Sequence, residues 1–270
     1  MAERIDLAAL AARIPGGARL AIPADYAGVA MAATRALLRR NIKGLRLVTV
    51  PTSGLQADML IGAGAVAEIE TSGVTLNEHG LAPRFSAAAK SGKLKIVDST
   101  CPAVHAGLQA AEKGVPFMPL RGLLGSDVLK QRPEWRVTQN PYGNAEDPLV
   151  LLPAIKPDIA LFHALRADRK GNVWIGRRRE LAVMAHASAV TLVTVEEFVD
   201  GDLMAEEATA AGALPALYVG AVALAPRGAW PLGFIDQYPA DDAELARYAA
   251  VARSDRGFAE YLKGALAAAA

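Results

Sequence analysis

The sequence predicts an α/β fold: an open, mainly parallel sheet with helices on both faces. Three observations carry this. Short β-branched runs such as Leu45–Val50 (LRLVTV) alternate with segments rich in Ala, Leu and Arg, the pattern of βαβ units. The run 158–165 (DIALFHAL) is apolar nearly throughout, which suits a strand covered on both faces. Pro opens and Gly follows the helix-like segments 83–90 and 102–113, the asymmetry that marks helix starts and stops.

In chain order, 31–41 has helix composition and Gly44 stops it; Leu45–Val50 reads as a strand; Pro51-Thr52-Ser53-Gly54 is a turn. A short helix over 55–61 and a Gly-punctuated turn lead to a strand over 66–70. Helix 83–90, strand 93–97, helix 102–113 and strand 115–120 follow. The stretch 122–148, with Gly125-Ser126-Asp127, Trp135 and Pro141-Tyr142-Gly143-Asn144, reads as one long irregular connection of the kind that often carries function. Strands are expected over 149–155, 159–165 and 190–195, and a helix over 180–187. The segment 241–266 reads as an amphipathic helix broken around 254–257. No internal repeat or linker divides the chain, so a single domain over 1–270 is expected, with 241–266 as its C-terminal helical segment.

Composition removes several function classes. With 270 residues the chain can bury a sizeable core. The balance of 29 Lys+Arg against 28 Asp+Glu gives a net charge of +1, which argues against a nucleic-acid partner held by bulk charge. A single Cys excludes a disulfide scaffold or a Cys-cluster metal site and suits a reducing cytoplasm. At 52% hydrophobic and 21% charged residues, disorder is excluded. The N-terminus MAERID does not read as a signal peptide, and no targeting segment is expected. The longest apolar stretch, 213–225, contains Pro215 and Gly220 and falls short of the roughly 20 residues of a membrane span. A cytoplasmic protein without membrane or nucleic-acid partners is expected.

Motifs for self-contained catalysis are scarce. Gly62-x-Gly64-x-x-Ala67 matches a dinucleotide fingerprint, but a helix-like segment precedes it and a strand-like one follows, the reverse of what the motif needs; it reads as a helix-to-strand turn. His79, His105, His163 and His186 show no metal-ligand spacing, and no metal is expected. His163, in an apolar strand, and His105, on a helix, read as core histidines. Cys101 precedes Pro102 at a helix start, where a thiol is a candidate nucleophile, although a buried inert Cys is the plainer reading. Ser53 and Ser72 each precede a Gly, but neither stands in a Gly-x-Ser-x-Gly elbow. Arg177-Arg178-Arg179 reads as a solvated basic run or as a site for an anionic group such as a nucleotide phosphate.

Five stretches together resemble the alpha (A-type) chain of a family I coenzyme A transferase of the glutaconate CoA-transferase type. They are MAATRALLRRNIKGLRLVTV (31–50), LQADMLIGAGAVAEIE (55–70), GLAPRFSAAAKSG (80–92), HAGLQAAEKGVPFMPLRGLLGSDV (105–128) and HALRADRKGNVWIG (163–176). The resemblance implies the open α/β sheet shared with sugar-phosphate isomerases. It implies a homologous beta subunit that carries the nucleophilic Glu, with acyl-CoA and a carboxylic acid as substrates. Coenzyme A is then a substrate, and no permanently bound cofactor is expected. In such enzymes the acyl group passes through the glutamate as an anhydride and a glutamyl-CoA thioester. No catalytic side chain is expected in this chain; backbone donors at Ala24 and Asp25 would face the oxyanion.

One departure stands out. Where the family has a Gly-Gly-Phe-Gly-like loop, this chain has Ile22-Pro23-Ala24-Asp25-Tyr26-Ala27-Gly28, in which only Gly28 matches. Pro23 has no N–H to donate, and Asp25 adds a carboxylate. Relatives on this fold that hydrolyse CoA thioesters or open rings attached to them, or that have lost catalysis, are the alternatives. Substrate and CoA contacts are expected from Pro23, Tyr26 and Gly28, from Thr52, Ser53 and Gly54, from Thr71, Ser72 and Gly73, and from Glu78, Cys101, Gly125 and Ser126. The four loops that follow the strands ending near 50, 70, 97 and 120 should then meet on one edge of the sheet.

Overall fold

The computed structural model describes residues 2–143, 146–235 and 237–267. Its strands are β1 (Glu3–Arg4), β2 (Arg19–Pro23), β3 (Leu45–Val50), β4 (Val66–Thr71), β5 (Lys95–Asp98), β6 (Phe117–Leu120), β7 (Arg136–Gln139), β8 (Pro148–Pro153), β9 (Ile159–Ala167), β10 (Val173–Trp174), β11 (Val190–Phe198), β12 (Ala213–Leu214) and β13 (Ala221–Leu224). Its helices are α1 (Leu7–Ala12), α2 (Met31–Arg39), α3 (Leu55–Gly62), α4 (Pro83–Ser91), α5 (Cys101–Glu112), α6 (Asp127–Gln131), α7 (Arg179–Ala187), α8 (Glu207–Ala210), α9 (Asp242–Val251) and α10 (Asp255–Ala267).

The main sheet has the order β1-β13-β11-β9-β2-β3-β4-β5, with every neighbouring pair parallel. Strands β10 and β12 fold back antiparallel beside β9. One face packs on α1, α2, α3, α9 and α10 through Leu20, Ile22, Leu47, Ile69 and Leu161. The other packs on α5 and α7 through Ala21, Val48, Val50, Phe162 and Val193. Alternate residues of one strand thus enter opposite cores, which is why the strands read as unbroken apolar runs.

Local chemistry sets the element ends. Asp6, Thr100, Ser126 and Asp241 cap α1, α5, α6 and α9 with side-chain oxygens. Pro83 occupies the first turn of α4, and Gly92, at φ +66°, closes it.

Several expectations need correction. β6 and β8, expected in the parallel sheet, pair with β7 in a separate three-stranded antiparallel sheet ordered β6-β8-β7. The stretch 122–148 is not one irregular loop, since it holds α6 and β7; Asn144 lies outside the described residues. β2 and β13 are strands that periodicity missed, each having few residues inside a longer mixed segment. The C-terminal break falls at 252–254, two to three residues ahead of the expected 254–257 and overlapping it at Ser254. Gly62 ends α3 and Gly64, at φ +66°, turns the chain into β4, so the glycine pair is a helix-to-strand turn.

Candidate functional site

The topology marks a crevice. After β2 the chain crosses to α2 on one face, whereas after β9 it reaches α7 on the other. β2 and β9 are parallel neighbours, so the connections part between their carboxyl ends, where open α/β sheets bind ligands. β9 also outruns β2: their register pairs Ala21 with Ala160, and β9 continues to Ala167. The loop 24–28 fills the step. Gly28 makes this possible, for it has φ +89° and an added Cβ would collide with the His163 carbonyl oxygen. Its own carbonyl accepts the His163 N–H at 2.7 Å.

Asp25 reaches from this loop to the start of α3. Its two carboxylate oxygens accept the N–H groups of Gly54 and Leu55, each at 3.1 Å. The carboxylate therefore caps a helix from a distant segment. Burial pushes its pKa up to about 6, against the pull of these two N–H groups, with the charge of Asp58 adding to the rise. Gly54 is required here, because a Cβ would strike the Asp25 carboxylate and come within 2.5 Å of the Thr75 carbonyl. The Ala24 N–H faces the Val50 carbonyl, as the parallel Pro23–Val50 pair of β2 and β3 requires, whereas the Asp25 N–H makes no hydrogen bond among the described residues. Pro23 is the buried last residue of β2.

Three of the four expected loops are tied together. Ser53 donates its N–H to the Gly73 carbonyl at 3.2 Å, and Ser72 donates both its N–H and its hydroxyl to the Pro51 carbonyl. The Thr71 hydroxyl bonds those of Thr49 and the Gly73 backbone. Ser99 donates its N–H to the Thr71 carbonyl at 3.0 Å, and Ser72 Oγ lies 3.2 Å from Cys101 Sγ. Thr52 is half-buried between these partners, its methyl 3.9 Å from the position of a Gly73 Cβ. Cys101 is exposed at the first position of α5, which corrects the expectation of a buried thiol: Thr100 holds the capping position and turns residue 101 outward. Gly125 and Ser126 follow a strand of the other sheet, so topology does not bring them to this edge. Among the described residues no hydrogen bond joins them to the other loops, while Leu123 beside them packs with Ala103 and Ala106 of α5.

A cavity of about 470 Å³ opens beside Asp25, lined also by Tyr26, Glu78, His79, Leu232 and Asp242. Tyr26 is 60% exposed. His79 Nε2 lies 3.4 Å from an Asp242 carboxylate oxygen. Sequence reading found Asp25, Tyr26 and Glu78 but not Asp242 or Leu232, which arrive from far along the chain. Glu70, next to Thr71 in β4, is buried and held as part of the structure: Arg19 and Arg132 donate to its two oxygens at 2.7 and 2.8 Å.

The reading of His163 as a satisfied core residue agrees with its surroundings. Its ring nitrogens lie 2.9 Å from the Thr194 hydroxyl and 2.8 Å from Glu196. Burial lowers its pKa more than Glu196 raises it, so the neutral ring donates from Nε2 to the carboxylate. Glu196 also accepts from the Tyr238 hydroxyl and the Arg227 N–H. His105 is half-buried rather than in the core, and desolvation lowers its pKa against the charge of Glu180.

Comparison with known proteins places this arrangement. Residues 4–225 match the family model described as Coenzyme A transferase. The A-type chain of the 3-oxoadipate CoA-transferase of Pseudomonas knackmussii is 32% identical over 244 residues, covering 86% of this chain and 83% of the relative. An uncharacterized protein of Archaeoglobus fulgidus is 31% identical over 84% of this chain, which spans only 50% of that relative's length. Among solved structures, glutaconate coenzyme A-transferase from Acidaminococcus fermentans superposes with a TM-score of 0.88 at 25% identity, over 97% of this chain and 88% of that one. A variant of the decarboxylase AibA/AibB superposes with a TM-score of 0.85 at 30% identity, over 98% of both chains. No helix among the described residues is long and apolar enough to cross a membrane. The parallel sheet, the crevice at the ends of β2 and β9 and these matches assign the chain to the coenzyme A transferase family.

Proposed function

We propose that this chain is the A-type half of a two-chain CoA transferase, which moves CoA between an acyl-CoA and a carboxylic acid. The observation that carries the reading is the crevice at the β2–β9 switch, within a chain whose family match and whose A-type transferase relative extend across it. The reacting carboxylate is assigned to a homologous beta subunit docked over this edge. Here the N–H of Asp25, which bonds nothing else among the described residues, would meet the oxyanion that forms when the thioester carbonyl is attacked, with the N–H of Ala24 beside it at the end of the β2–β3 ladder. The loops carrying Thr52, Ser53, Gly54, Thr71, Ser72, Gly73 and Cys101 would line the path of the acyl and pantetheine groups, with Tyr26 and Glu78 on the cavity side. Coenzyme A enters as a substrate. The chain acts as one domain, since α9 and α10 complete the first core through Tyr248, Phe258 and Tyr261. We assign it to the cytoplasm, in keeping with a free, exposed thiol.

A second reading is favoured by Asp25. Its carboxylate already occupies the N-terminus of α3, and the decarboxylase AibA/AibB shares the whole length of the chain. In that reading the fold is kept and the acceptor acid is lost. Incubating the two-chain complex with acyl-CoA and acetate separates the readings. Acetyl-CoA as product supports transfer. Free CoA, or release of carbon dioxide from a carboxylated acyl-CoA, with no acetyl-CoA formed, overturns it.

A further inference from the structure

Arg177, Arg178 and Arg179 are used by nothing described so far. They lead into α7, a nine-residue helix whose capping residue is Arg178 and whose start has no side-chain cap. Three cations there face the positive end of the helix dipole, the unfavourable sign. Glu180 is the only acid in that first turn. Among the described residues none of the three arginines forms an ion pair, whereas Arg19, Arg46, Arg84, Arg121 and Arg132 all do. Arg177 and Arg179 are exposed.

Their place in the fold supplies a second, independent pointer. The Arg178 guanidinium lies over the ring of Tyr26, 5.7 Å from its centroid. Tyr26 is exposed and lines the cavity beside Asp25. The basic run therefore borders the loop 24–28 at the β2–β9 crevice. A concentration of unpaired guanidinium groups at a helix start is stabilised by an anion with several oxygens, and planar forks suit phosphate.

We propose that Arg177, Arg178 and Arg179, with the ring of Tyr26, form a subsite for a phosphorylated nucleotide, here the phosphate groups at the nucleotide end of coenzyme A. This rests on the reading of the crevice as the site of an acyl-CoA reaction. The pantetheine arm would run from the reacting thioester to this rim. Binding is electrostatic and near the surface, so it weakens as salt rises.

The test uses the two-chain complex and the double variant R177A/R179A, with R177K/R179K as the charge-conserving control. The first readout is the ratio of kcat/KM for an acyl-CoA to that for the matching acyl-pantetheine, which lacks the phosphates. The double alanine variant is expected to lower this ratio by about tenfold or more and to flatten its dependence on salt, and the lysine variant to recover most of it. The second readout is calorimetric binding of adenosine 3′,5′-bisphosphate, expected for the wild type and weakened by about tenfold in the alanine variant. An unchanged ratio together with unchanged bisphosphate binding overturns the subsite while leaving the proposed function standing. Arginine-dependent bisphosphate binding by a complex that moves no CoA overturns the function and keeps the subsite. Equal competition by ATP assigns the subsite to free nucleotides and overturns its link to CoA.

Discussion

Replacing Gly28 by alanine puts a methyl group against the backbone of a central strand. Two costs add. Gly28 has φ +89°, and moving a residue with a Cβ into the left-handed region costs about 1–2 kcal/mol. The new Cβ would also fall well inside the 3.0 Å that real Cβ contacts keep, with the His163 carbonyl oxygen as the obstacle. That oxygen belongs to β9, hydrogen-bonded between β2 and β11, so the loop must give way. Its displacement removes the 2.7 Å bond from the His163 N–H to the Gly28 carbonyl, a loss of about 1 kcal/mol, with packing losses of similar size. The total is about 3–4 kcal/mol. Gly17 is the control: its φ is +81° but nothing lies within 4 Å of an added Cβ, so Gly17→Ala costs only the backbone part. At about 2 cal/mol/K per residue, a chain of 270 residues loses about 2 °C in Tm per kcal/mol. Thermal unfolding followed by circular dichroism should show a loss of about 6 °C for Gly28→Ala and about 2 °C for Gly17→Ala. Equal shifts in the two variants would refute the close approach of this loop to β9.

Three further predictions use urea denaturation. Asp25 has a folded pKa of about 6 against an ordinary 3.8, so between these values the folded state holds more proton than the unfolded one and stability falls as pH rises; relative to wild type, Asp25→Asn should gain stability across this window and level off above it, and a constant difference would contradict the buried carboxylate. Tyr248→Phe removes the hydroxyl that donates to buried Asp58 at 2.7 Å, leaving that acceptor short of a partner, for an expected loss of about 1–3 kcal/mol; no loss would show that this bond is not made. Arg132→Ala leaves Glu70, 5% exposed, with Arg19 as its remaining ion-pair partner and should cost about 3 kcal/mol, with a change below 1 kcal/mol counting against the buried pair.

Legibility in the sequence followed the range of the interactions. Elements with a full apolar period and terminal Pro or Gly, such as α4, α5 and β3, were readable because caps and periodicity are local. β6 and β8 were recognised as strands but assigned to the wrong sheet, since a run of apolar residues does not encode its partner. β2 was missed because five residues between a glycine turn and an unusual loop carry little pattern. The site divides in the same way. Loops after β3, β4 and β5 could be grouped from the expected parallel order. The capping of α3 by Asp25, 29 and 30 positions before the N–H groups it binds, left no local signal. Neither did the arrival of Asp242 and Leu232 at the cavity, because both depend on how the C-terminal segment returns across the sheet.

That return has a consequence for synthesis. Tyr248 contacts Asp58 across 190 positions, and Phe258 and Tyr261 fill the same core as α2 and α3. While the chain is being made, the apolar sides of α2 and α3 and the carboxyl group of Asp58 wait uncovered until α9 and α10 leave the ribosome. The opposite core, closed by α5 and α7, has its last residue at Val222, about 40 residues before Tyr261 completes the first. Translation should therefore finish one side of the sheet first, and the nascent protein would present the other side to chaperones as its exposed surface.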